Sequence, residues 1–76
     1  MNQERSLEEL HTTIAGLKHY EGSKIKHIKS NGYYVITGIH FKEDDMTIWF
    51  SYETLHRYTV SFLRPIAELF DGRFQI

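Results

Sequence analysis

Ser30-Asn31-Gly32-Tyr33-Tyr34-Val35-Ile36-Thr37-Gly38-Ile39-His40-Phe41 (residues 30–41) reads as a tight turn feeding a long strand. Asn-Gly is a strong short-range hairpin signal, because both residues tolerate positive φ. After it, Tyr33, Val35, Thr37, Ile39 and Phe41 fall on one face and Tyr34, Ile36, Gly38 and His40 on the other. A hairpin at this point makes the chain a meander of antiparallel strands.

Working outward, Lys24 to Ser30 is a short amphipathic strand candidate before the turn. Beyond the long strand, Lys42 to Asp45 turns the chain, and Met46 to Tyr52 returns with Met46, Ile48, Phe50 and Tyr52 on one face, which reads as core. Trp49 falls on the opposite face, exposed unless the helix or another subunit covers it. A turn around Glu53 to His56 leads to a strand from Tyr58 to Leu63 that stops at Pro65. Pro65 to Phe70 then reads as a helical or 3₁₀ turn, and Asp71-Gly72 turns the chain into a last short strand at Arg73-Phe74. Val35, Ile39, Ile48, Phe50, Val60, Phe62 and Phe70 are the expected core.

The N-terminal segment is helical. Ser6-Leu7-Glu8-Glu9 has the S-x-x-E form of a capping box. Leu7, Leu10, Ile14 and Leu17 recur at three- and four-residue spacing, which gives a helix over residues 6–17 with one apolar stripe. Gly16 and Gly22 are the candidate stops, and Gly16 is preferred. The whole is one α+β domain of 76 residues, a helix followed by a β-rich body over residues 24–76. Its architecture is a small twisted antiparallel β-sheet or an SH3-like barrel of four or five strands.

A domain of this length removes only about 60% of its unfolded surface from water, so its stability is marginal and self-association would assist it. The chain has no cysteine, no signal-peptide pattern and no long apolar run, as expected of a protein of a reducing cytoplasm with no membrane partner. Nine Lys and Arg face ten Asp and Glu, which leaves no polyanion-binding signature and argues against duplex DNA as a ligand. Lys18, Lys24, Lys26 and Lys29 are nevertheless clustered against Glu21 alone, either as a solvated strand edge or as a small-anion site.

Enzyme chemistry finds no foothold in these patterns. There is no cysteine nucleophile, no G-x-S-x-G and no P-loop. His11, His19, His27, His40 and His56 have none of the short spacings that place two imidazoles on one metal, so no metal or other cofactor is expected.

Binding is the expected class. Five Tyr, five Phe and one Trp exceed what so small a core needs, and aromatics stack bases while arginines hold phosphates. Arg64, Arg73, Trp49, Tyr34, Tyr58 and Lys26 are the candidate ligand-binding residues. Arg64 is either a phosphate ligand or the hydrogen-bonder that ties the helical turn to the sheet. A domain this small has little room for a pocket within one subunit, so a small phosphorylated nucleotide shared between copies of a homo-oligomer is the expected ligand. An SH3-like nucleic-acid-binding module, and an adaptor that binds a host protein through the Trp49 face, are the alternatives.

One further pattern bears on the setting. Gly32-Tyr33-Tyr34-Val35-Ile36-Thr37-Gly38, then Met46 and a strand ending in Tyr52, then Phe62-Leu63-Arg64-Pro65 and Phe70-Asp71-Gly72-Arg73-Phe74, resembles a family of short phage and bacterial domains of unknown function. In that family a Y-x-V-x-G strand precedes an R-P followed within a turn by Phe; here Gly38 stands one residue further from Val35. The resemblance spans roughly residues 24 to 74 and leaves out the N-terminal helix. It implies a phage-borne, non-enzymatic accessory domain acting in the cytoplasm of a bacterial host, and hence an anti-defence role in which a host signal is sequestered.

Overall fold

A computed structural model describes residues 7–55 and 58–76. The chain runs α1 (Leu7–Leu17), a 3₁₀ turn (Lys18–Tyr20), β1 (Lys24–His27), β2 (Gly32–Lys42), β3 (Thr47–Thr54), β4 (Ser61–Pro65), a second 3₁₀ turn (Ile66–Leu69) and β5 (Phe74–Gln75). The strands form one antiparallel sheet in the order β4-β3-β2-β1-β5, and it is not closed into a barrel.

Both central hairpins use four-residue loops that end on a non-glycine residue with positive φ, Asn31 at 61° and Met46 at 59°. The first loop therefore differs from the expected two-residue Asn-Gly turn. Asn31 alone takes the left-handed conformation, its N–H bonds the His27 carbonyl at 2.8 Å, and Gly32 is already the first residue of β2. Met46 likewise belongs to the loop, and β3 starts at Thr47.

The long strand does not keep one parity. Ile36 pairs with Tyr52 but Gly38 pairs with Ser51, so a bulge at Thr37 moves every later side chain to the other face. Ile36 and Ile39 are thus both buried. Tyr33 and Val35 lie on the outer face, opposite to Ile39 and Phe41, with which unbroken alternation would group them. From Ile36 on, β2 outruns β1, and the segment between α1 and β1 satisfies the exposed backbone. Gly22 N–H bonds Ile36 O at 2.7 Å, Ile36 N–H bonds Ser23 O at 2.9 Å, and Ile39 N–H bonds a Glu21 carboxylate oxygen at 3.2 Å.

The core is Ile25, Ile36, Ile39, Ile48, Phe50, Tyr52, Leu69 and Phe74, with Ile14, Leu17 and Tyr20 packed against it. Val60, Phe62 and Phe70, expected inside, are exposed instead, and Val35 is half-buried. The first two stand at the open β4 side of the sheet, where no further strand among the described residues covers them. The helical stripe is likewise shorter than its spacing suggests: Leu10 is buried, Ile14 and Leu17 are half-buried, and Leu7 is 78% exposed. The Ser6 half of the capping box lies outside the described residues, as does His56 in the turn before β4.

Gly16 does not stop the helix. It sits within α1, and the chain turns instead at Gly22, with φ of 87°. Pro65 is the last residue of β4 rather than the first of the helical turn, which starts at Ile66. It closes an edge strand, where its missing N–H breaks no ladder bond to β3. That shift places Tyr58 before β4, which starts at Ser61.

Two glycines yield opposite expectations. At Gly16 a methyl group would meet nothing within 4 Å, so Gly16→Ala should stabilise the protein by about 0.5–1 kcal/mol through helix propensity. At Gly72, with φ of 100°, Gly72→Ala should cost about 1–2 kcal/mol through the left-handed strain on a β-carbon. Urea denaturation of both variants checks the pair of signs.

Candidate functional site

Alternation in β1 puts Ile25 in the core and turns Lys24 and Lys26 outward. The register with β2 sets Lys26 beside Tyr33 and Lys24 beside Val35, while β5 sets Gln75 on the other side of Lys26. Tyr33 is 49% exposed. The Lys24 ammonium lies 4.6 Å from the Tyr33 ring centroid and that of Lys26 5.9 Å, so two cations flank one ring through its negative face.

Together with Gln75 and Ile76 these residues line an open depression of about 280 Å³ that contains no acidic side chain. Among the described residues, Lys24 and Lys26 form no ion pair with a carboxylate. Glu53, two strands away across Val35, accepts a hydrogen bond from Ser61 at 3.4 Å. The arrangement offers a flat π surface, two point charges and an amide. Those are the elements with which a protein holds an anion that carries a planar ring.

The two arginines are differently placed. Arg64 reaches from β4 across the inner face. Its Nε donates to the Tyr52 hydroxyl at 2.7 Å, its Nη1 donates to Glu68 Oε1 at 2.7 Å, and its guanidinium lies 5.5 Å from the Phe74 ring centroid. The Arg73 Nε donates to Asp71 Oδ2 at 2.9 Å and stands 3.9 Å from Glu68 Oε1. Two guanidinium groups therefore meet two carboxylates, and the cluster has no net charge with which to draw an anion.

The same contacts set the direction of the proton equilibria. The hydrogen bond to the Tyr52 hydroxyl, and then that to Glu68, raise the Arg64 guanidinium above its ordinary value. The hydrogen bond to Asp71 does the same for Arg73, and the Arg73 bond in turn lowers the Asp71 carboxyl. Arg64 ties the second 3₁₀ turn to β3, which is the structural one of its two expected roles.

The remaining candidates do not gather around either group. Trp49 lies on the outer face toward the other end of β3, half-buried, with its Nε1 donating to Thr47 Oγ1 at 2.7 Å and the Lys42 ammonium 4.9 Å from its ring. The lysine, not α1, covers it. Tyr34 faces inward and makes edge-to-face contacts with Tyr52 at 5.2 Å and Phe62 at 6.0 Å. Tyr58 is 70% exposed, with its carbonyl bonded by the Thr54 hydroxyl at 3.1 Å. Of the six sequence candidates, only Lys26 borders the depression, and Arg64 and Arg73 share Glu68.

Sequence reasoning missed Tyr33 and placed Lys24 only within a wider small-anion segment, not among the ligand-binding residues. The signal was present in the Lys24-Ile25-Lys26 alternation, since a hairpin closed at Asn31 brings Tyr33 opposite Lys26. A second missed feature is a polar network beside the bulge. Ser51 Oγ stands 2.8 Å from both His40 Nε2 and Thr37 Oγ1, and Gly38 makes room for it, because a β-carbon there would come within 2.9 Å of His40 Nε2. A serine and an imidazole at hydrogen-bond distance are two parts of a nucleophile and base, but among the described residues no carboxylate orients the ring. The described residues also hold no cluster of three or more His, Cys, Asp or Glu that could bind a metal, and no helix long and apolar enough to cross a membrane.

No family model matches this chain, and neither a curated protein nor a solved structure does.

Proposed function

We propose that this chain is a small binding protein whose Lys24–Lys26–Tyr33 face takes a phosphorylated nucleotide. The observation that carries the reading is a half-exposed aromatic ring flanked by two ammonium groups that form no ion pair among the described residues. Tyr33 supplies the stacking surface, an interaction of about 1–3 kcal/mol per base. Lys24, held to the ring at 4.6 Å by a flexible stem, swings to the phosphate and leaves the ring face to the base. Lys26, half-buried between Tyr33 and Gln75, is the more fixed of the two charges.

The size of the depression suits one mononucleotide, and the balanced net charge offers no track for a long polyanion. In the phage setting that the Arg64-Pro65 pattern suggests, retention of a nucleotide signal inside a bacterial host would amount to sequestration, and nothing in the reading requires catalysis.

Isothermal titration with mono-, di- and cyclic nucleotides, beside single-stranded and duplex DNA, tests it. At least one nucleotide should bind, with affinity falling about 10- to 100-fold in Tyr33→Ala and in the double variant Lys24→Gln/Lys26→Gln. The salt dependence should be shallow, as two lysines release few counterions. Binding of single-stranded DNA alone with a steep salt slope would replace this reading by the nucleic-acid module. Binding of nothing at all would refute the site.

A further inference from the structure

Among the described residues, the β4 side of the sheet is an unpaired edge. Thr54 N–H bonds the Val60 carbonyl at 3.0 Å, and the register continues as Glu53↔Ser61, Tyr52↔Phe62, Ser51↔Leu63, Phe50↔Arg64 and Trp49↔Pro65. In an antiparallel ladder bonded and non-bonded pairs alternate. Val60, Phe62 and Arg64 therefore spend their backbone groups on β3, and Ser61 and Leu63 direct their N–H and C=O groups away from it. Pro65 falls on the outward set, where it needs no donor.

Natural edge strands are guarded by charge, by bulges or by being very short. β5 is guarded in this way, with two residues and the Arg73–Asp71 pair beside it. β4 is not. Val60, Ser61, Phe62 and Leu63 are consecutive, uncharged and exposed, with Val60 at 48%, Phe62 at 41% and Leu63 at 55%.

We propose that β4 pairs antiparallel with β4 of a second copy of this chain, about a two-fold axis through Phe62. The register is self-complementary. Centred on Phe62, Ser61 of one copy faces Leu63 of the other, and these are the residues whose amides point outward, so each such pair exchanges both N–H···O bonds. Thr59 faces Pro65, whose carbonyl accepts and whose missing donor is not replaced. Val60 faces Arg64, already committed to Glu68, so no like charges meet across the axis.

Phe62 meets its own copy in the non-bonded pair, where side chains approach most closely. It is also the exposed end of a row of rings, stacked on Tyr52 at 5.3 Å, which in turn touches Tyr34 at 5.2 Å. Pairing at β4 extends that row and joins two sheets into one. The Lys24–Lys26–Tyr33 face lies at the β1 end, remote from the axis, so each chain keeps its own ligand site and the ligand is not shared between copies.

Light scattering on the full chain tests the pairing. The wild type should show twice the 9.1 kDa chain mass at tens of micromolar and above. Ser61→Lys/Leu63→Lys sets like charges opposite each other across the axis and should give 9.1 kDa with an unchanged circular dichroism spectrum. Ser61→Lys/Leu63→Glu sets opposite charges there and should restore the doubled mass. Amide exchange on the wild type supplies a readout free of substitutions, since Ser61 and Leu63 should gain protection as concentration rises. A wild type that stays at the chain mass, a double-lysine variant that keeps the doubled mass, an assembly larger than two, or concentration-independent exchange at Ser61 and Leu63 would overturn the proposal.

Discussion

Replacement of Phe50 by alanine should bring the protein to the verge of unfolding at 25 °C. Phe50 is fully buried in β3, a strand paired on both sides, with its ring stacked on Tyr52 at 5.2 Å and edge-on to Phe74 at 5.8 Å. Truncation of a core phenylalanine costs about 3–5 kcal/mol in lost transfer energy and residual cavity. A 76-residue domain has roughly 4–11 kcal/mol in total on a per-residue scale, and small size favours the lower end. Phe50→Leu, which keeps most of the volume, should cost no more than about 1.5 kcal/mol. Urea denaturation followed by circular dichroism measures both. A loss below about 1.5 kcal/mol for the alanine variant would show that the core is not centred on β3.

The second large effect belongs to Arg64. Arg64→Ala leaves the hydroxyl of the buried Tyr52 without its donor, a penalty of about 1–3 kcal/mol, and strips Glu68 of its counter-charge. The ion pair itself is about 30% exposed, so its own contribution is discounted toward the 0–1 kcal/mol of surface pairs. The sum, on the order of 2–3 kcal/mol, should lower the melting temperature by about 10–20 °C. Arg64→Lys should lose about half as much, since a single ammonium cannot reproduce the fork between Tyr52 and Glu68. Nucleotide binding per folded molecule should not change in either variant. A normal melting curve combined with lost binding would instead make Arg64 the phosphate ligand.

These two residues also mark how far the sequence could be read. The turn signals at Asn31-Gly32 and Asp71-Gly72 and the apolar alternation of β3 were enough to derive a helix followed by an antiparallel meander. Ile48, Phe50 and Tyr52 are buried as that alternation requires. The face of β2 was not legible, because the bulge at Thr37 inserts one residue and reverses parity without any local signal stronger than Gly38. The strand boundary near Pro65 was hidden for a related reason. A proline excludes a strand interior only if its backbone nitrogen must donate, and that depends on which edge of the sheet it occupies.

The candidate site was legible in chemistry more than in place. Aromatics and cations pointed toward an anionic ring-bearing ligand, but Arg64 and Arg73 are neutralised by Glu68 and Asp71, which stand four and two residues away in the chain and read from the sequence only as a helix-surface charge and a turn former. Lys24 and Lys26 form no ion pair among the described residues, because β1 turns them to a face where the register supplies Tyr33, Val35 and Gln75.

The most direct measurement is a nitrogen-15 NMR titration of the full chain with the nucleotide that binds best. The amides of Lys24, Lys26, Tyr33 and Gln75 should shift together and saturate at one ligand per chain, while those of Arg64, Glu68, Asp71 and Arg73 stay in place. Shifts confined to the Arg64–Arg73 cluster or to the Trp49 face, with Tyr33 unmoved at saturation, would contradict a ligand site on β1 and β2.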